Sequence, residues 1–269
     1  MEPSNALTML CICLFIHNSS IAQYLDPTRS NFGTVVALDN RQNLFTNPAS
    51  YDDHQKTYFW AGAQSLFQLK EIQNFQLGYL KTGKNHCVGI SGIYFGSEYL
   101  KSYTVQSQFA RQLFNQLNLA IRFKMTNIDL DIYGKRNVVN ADIGMHYSYS
   151  AKWEFAFLIQ QIKPIQIAEF EQSGAKINLG LAYIPSNKVR FMLEIYQNAT
   201  SGSGLRCALE YKPAKQVLAH TGMQSNPTIA LFGIQYRISK KVTVESFGNY
   251  HLVLGLTSGV NLKVMINDK

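Results

Sequence analysis

The stretch KINLGLAYIPSNKVRFMLEIYQNATSGSGLRCALEY, residues 176 to 211, alternates in polarity three times in succession. Successive side chains of a strand point to opposite sides, so Ile177, Leu179, Leu181 and Tyr183 share one face while Asn178, Gly180 and Ala182 share the other. After a Pro-Ser-Asn-Lys turn, Phe191, Leu193 and Ile195 oppose Arg190, Met192, Glu194 and Tyr196. In the third segment Leu205, Cys207, Leu209 and Tyr211 oppose Arg206, Ala208 and Glu210. Two architectures accommodate such a ribbon: a β-sandwich with the apolar face inward, or a transmembrane barrel with that face outward.

Working outward, the same period divides the chain from Thr57 onward into segments of about 10 to 12 residues bounded by turn residues. The expected strands run 57–67, 72–81, 86–97, 100–111, 115–126, 138–149, 152–162, 175–184, 188–197, 204–211, 215–224, 227–237, 241–250 and 252–266, fourteen in all. Turns after the even strands are short and basic, and carry Lys152, Lys188, Lys215, Lys240 and Lys241. Connections at the other end include longer ones at 127–137, 163–174 and 198–204. Short turns on one side and longer loops on the other are a property of transmembrane barrels. Aromatic residues near strand ends, among them Tyr58, Phe59, Trp60, Trp153, Tyr183, Tyr211, Tyr236 and Tyr250, suit the interfacial girdles of such a barrel.

Composition agrees. Of the 269 residues only 16% are charged, against about 25% in ordinary soluble domains, and the net charge is +8. No apolar run approaches the roughly 20 residues of a transmembrane helix, so a membrane location requires a closed barrel. The apolar run Leu7 to Ile16, followed by Ser20 and Ala22, reads as a secretory signal peptide over 1–22, cut before Gln23. Export would leave Cys87 and Cys207, which fall on opposite faces of their strands and are not expected to form a disulfide.

No catalytic or cofactor motif is present: there is no P-loop, no G-x-S-x-G and no H-E-x-x-H, and no cofactor is expected. Asp129 and Asp131 could share a calcium ion, but read better as solvated loop carboxylates. His251 reads as a structural hydrogen-bonding group. Arg190, Glu194, Arg206, Glu210 and Glu245, with His220, fall on polar strand faces. In a barrel they line the lumen, where each charge needs a partner. The basic turns lack the interleaved aromatic surface of a nucleic-acid site and suit lipid phosphates better.

In front of the strands, NFGTVVALDNRQNLFTNPAS (31–50) reads as a short helix stopped by Pro48, which drives Asn47 out of the helical region. Gly33 and Ala37, followed by Asn47, Pro48 and Ala49 before a long β pattern, resemble the N-terminal signature of the FadL superfamily. That superfamily includes the PorV-like outer-membrane barrels of type IX secretion in Bacteroidetes, whose closing strands the stretch 204–260 resembles as well. The resemblance implies a plug folded back into a fourteen-stranded barrel. The reading is therefore an all-β, antiparallel, up-and-down outer-membrane barrel over 57–269, with a plug and Asn-Pro-Ala turn over 23–56. It is non-enzymatic and is expected to serve as an accessory or shuttle component of protein export, touching outer-membrane lipid and a larger translocon or cargo domain. Two alternatives remain: a FadL-like channel for small hydrophobic compounds, and a secreted β-sandwich that binds a ligand.

Overall fold

The computed structural model describes residues 37–38, 44–51, 55–69, 71–97, 100–131, 134–162, 165–168, 171–199 and 202–268. The expected signal peptide, Gly33 and most of the expected N-terminal helix lie outside these residues. The described parts of that segment, 37–38 and 44–51, form turns.

Fourteen strands of the described residues close into one antiparallel barrel. They are β1 (Lys56–Ser65), β2 (Gln73–Thr82), β3 (His86–Gly96), β4 (Leu100–Phe114), β5 (Leu117–Leu130), β6 (Gly134–Ser148), β7 (Trp153–Gln160), β10 (Lys176–Ser186), β11 (Val189–Asn198), β12 (Gly202–Ala214), β13 (Val217–Gln224), β14 (Ile229–Arg237), β15 (Val242–His251) and β16 (Gly255–Asp268). Two short strands, β8 (Ile165–Ala168) and β9 (Glu171–Ser173), form a separate hairpin in the connection between β7 and β10. Each barrel strand pairs with its predecessor in the barrel, and β1 closes on β16 from Lys56 opposite Asp268 to Ser65 opposite Ser258.

The barrel is apolar outside and polar inside. In β2, Phe75, Leu77 and Tyr79 are exposed while Asn74, Gln76 and Thr82 are buried. In β11, Phe191, Leu193 and Ile195 face out, and Arg190, Met192, Glu194 and Tyr196 face the lumen. Each large apolar side chain left in water forgoes about 1.5–3 kcal/mol, so a band repeated on every strand requires a nonaqueous surround. This distribution is opposite to that of a sandwich. Aromatic clusters mark both ends of the wall. Trp153 and Tyr183 lie 4.6 Å apart near the turn end, and Phe75, Tyr94 and Tyr103 form a contiguous group at the other. Tyr58 and Trp60 depart from the expected girdle: they follow a register shift between Thr57 and Tyr58 and face inward, buried, leaving Phe59 on the outside.

The loops are shorter than expected. Residues 127–130 and 134–137 continue the β5–β6 ladder, with Asn127 donating to Asn137 at 2.8 Å and Lys135 pairing with Asp129 at 3.3 Å. Asp129 is thus a partly exposed strand carboxylate with a cross-strand partner, in place of the expected loop carboxylate. The expected loop at 198–204 is likewise reduced, since β11 runs to Asn198 and β12 begins at Gly202. The connection around β8 and β9, from Gln160 to Lys176, is the longest between barrel strands. In both corrected regions polar residues pair across the hairpin as well as with water, so polarity alone did not mark a loop.

Candidate functional site

A fourteen-stranded wall encloses more space than its own side chains fill. The N-terminal segment occupies part of it. Leu44, Phe45 and Ala49 join Trp60, Leu80 and Ile93 in one buried apolar cluster, and Ala37 and Leu38 join Ala156, Leu158, Met192 and Ala208 in a second. The described pieces of the segment thus touch the wall near β1–β5 and near β7–β12. Wall glycines admit them: a Cβ on Gly180 would lie 2.7 Å from Leu38, and one on Gly89 would lie 2.5 Å from Leu44.

Asn47 anchors the Asn-Pro-Ala turn. Its Oδ1 accepts from the Ala49 amide at 3.0 Å, and its Nδ2 donates to the carbonyls of Ala37 at 2.9 Å and Met145 at 3.1 Å. Gly144 faces this side chain and the Pro48 ring, where any Cβ would collide. Ala49 is buried and gives its carbonyl to Asn118 at 3.2 Å.

Charged wall residues bind the backbone of the segment. Arg122, fully buried on β5, donates to the carbonyls of Phe45 and Thr46 and lies 3.6 Å from its cross-strand partner Asp142. Lys124 pairs with the same Asp142 at 2.6 Å. Gln106 donates to the Leu44 carbonyl at 3.1 Å. On the other side Arg190 donates to the Leu38 carbonyl at 2.9 Å, pairs with Glu154, and faces Glu210 at 3.6 Å. Glu194, also fully buried, accepts from the Ala37 amide at 2.7 Å and pairs with Arg206. Arg206 stacks over Tyr196 at 4.3 Å and donates to Gln224 at 2.8 Å. Glu245 lies apart from this set, accepting from Asn261 at 2.9 Å and facing His220 at 3.8 Å.

The structure therefore brings Arg190, Glu194, Arg206 and Glu210 into one cradle around Ala37 and Leu38, while Glu245 belongs to a separate pair. His251 caps the β15–β16 connection, accepting at Nδ1 from the amides of Val253 and Leu254 at 3.1 and 2.9 Å. Lys152, Lys188, Lys215, Lys240 and Lys241 all sit in turns at the end where β1 begins. Sequence reasoning missed Arg122, Lys124, Asp142 and Glu154. The signal was available: Arg122 and Lys124 alternate with Ile121, Phe123 and Met125 as Arg190 does with its neighbours.

Two concavities accompany the cradle. An apolar groove of about 580 Å³ lies on the outer wall over β10–β13, rimmed by Trp153, Leu181, Phe191 and Met223. Its floor includes Met192 and Ala208, which also belong to the buried cluster that holds Ala37 and Leu38. A second, basic cavity of about 410 Å³ opens at the turn end.

No protein-family model and no curated protein matches the sequence. Solved structures match the fold. The CymD monoaromatic hydrocarbon channel superposes with a TM-score of 0.64 at 10% identity, over 87% of this chain and 93% of that one. The toluene transporter TodX of P. putida gives 0.60 at 10% identity, over 81% and 91%. A Pseudomonas aeruginosa FadL homologue gives 0.58 at 7% identity, over 82% and 92%. The barrel is thus of the FadL-like kind in fold.

Proposed function

We propose that this chain is an outer-membrane barrel that passes small hydrophobic compounds, with its N-terminal segment as the closure. The observation that carries the reading is the shared floor of the outer groove. Met192 and Ala208 line the apolar groove on the wall and also belong to the buried cluster that holds Ala37 and Leu38, so groove and lumen segment are separated there by one layer of paired strands. The groove's volume lies within the roughly 300–1,000 Å³ usual for small-molecule sites. The fold-mates described as hydrocarbon channels and toluene transporters support the same class of cargo, and the apolar band supports the location.

The expected accessory role in protein export draws no support from these fold-mates, and the charged lumen that encloses Ala37 and Leu38 suits a plugged channel. The test is flux of radiolabelled toluene into proteoliposomes. Ala208→Phe, which fills the floor, is expected to cut flux at least several-fold while the barrel keeps its heat-dependent gel mobility. Undiminished flux in a folded variant, or no flux in the parent, would overturn the reading.

A further inference from the structure

The basic cavity at the turn end lies inside the rim of the barrel, along β12 to β16 and β1. Strand register directs Lys212, Arg237 and Lys263 to the lumen face: Lys212 follows the inward Glu210 by two residues, and Arg237 and Lys263 both pair with Thr243. Lys56 adds a fourth cation, and the turns after β12 and β14 add Lys215, Lys240 and Lys241. Glu210 is the one carboxylate among the described residues that line the cavity, and it already faces Arg190. Lys263 is positioned by aromatic faces, with its ammonium 5.1 Å from the Tyr58 ring and 5.9 Å from the Trp60 ring.

Seven cations converge on one concavity, where like charges held close together repel. A cleft of one sign, walled by low-dielectric material, focuses its field and concentrates counter-ions. Six of the seven are lysines, which bind phosphate oxygens as compact point charges and need no fixed planar geometry. We infer that this vestibule binds a small anion carrying two or more closely spaced phosphate groups. The inference is independent of the channel reading, because it is tested by binding without transport.

Purified full-length protein in a non-ionic detergent is titrated calorimetrically with inorganic tripolyphosphate. One saturable site is expected, weakened roughly tenfold between low and physiological salt because the attraction is screened. Lys212→Gln with Arg237→Gln should weaken it at least tenfold, as should the turn pair Lys240→Gln with Lys241→Gln, which leaves the strands untouched. Lys152→Gln with Lys188→Gln, on the same rim but outside the cavity, should leave affinity unchanged. In Trp153→Phe protein, Trp60 emission should shift on saturation as Lys263 engages the ligand. Repeating the titration in phosphatidylcholine nanodiscs with and without cardiolipin separates the sources: competition by cardiolipin identifies a diphosphate lipid headgroup, and its absence a free anion, either of which sustains the site. Absence of saturable binding, or equal losses in the Lys152 and Lys188 variant, overturns it.

Discussion

At the scale of the residue, Arg122 shows how the lumen is built. Its guanidinium reaches two backbone carbonyls of the N-terminal segment and shares Asp142 with Lys124 in a fully buried position. A buried ion pair is poor evidence of stability, but breaking one strands the remaining charge. Arg122→Ala should therefore destabilise the barrel by about 3–5 kcal/mol, measured by urea unfolding in lipid vesicles. It should also expose the segment around Thr46 to protease. The two cysteines of the barrel strands make a second residue-scale prediction. Cys207 is exposed on the outer face and Cys87 is buried on the inner one, with both thiols free. A membrane-permeant maleimide should label Cys207 and spare Cys87 in the folded protein, as read by mass spectrometry of the fragments. Equal labelling of both would reverse the register of β3 or β12. Alternation alone placed each thiol on its face, because a strand's period is two wherever it sits.

At the scale of the element, the N-terminal segment is held by polar groups that reach its backbone from both walls. Arg122, Gln106 and Asn118 hold residues 44 to 49, and Arg190 and Glu194 hold Ala37 and Leu38. The strands, by contrast, hold one another through a closed ladder that does not pass through the segment. Deleting residues 31–50 should accordingly leave a heat-modifiable barrel with raised conductance in planar bilayers, and an unchanged conductance would show that the segment does not close the lumen. The sequence disclosed the Asn-Pro-Ala turn because Pro48 restricts its predecessor locally. It did not disclose which wall residues receive that turn. Met145 and Arg122 lie 98 and 76 residues away from their partners Asn47 and Thr46, and no local pattern encodes such a meeting.

At the scale of the whole molecule, the barrel is inverted relative to a water-soluble fold, and its solvent decides its stability. Leu193, 46% exposed on the outer face of β11, should tolerate Arg poorly in a bilayer, at about 2–4 kcal/mol if it lies near the midplane. Folding yields in vesicles check this; a neutral outcome would mean that the apolar band does not face lipid. The sequence by itself determined the all-β class, the fourteen strands of the wall and which alternating residues share a face, because these follow from a two-residue period and from turn residues near in sequence. Only the tertiary structure decided the rest. It showed that 127–130 and 134–137 extend a hairpin, that Tyr58 and Trp60 turn inward after a register shift, that Glu154 completes the cradle around Ala37 and Leu38, and that Arg122, paired with Asp142, meets residues 45 and 46 on the other side. It also gathered lysines from β1, β12, β16 and the intervening turns into one cavity. The reason is the same in each case: ring closure brings strands far apart in the chain side by side, and a charge buried in the lumen takes its meaning from whichever partner that closure supplies.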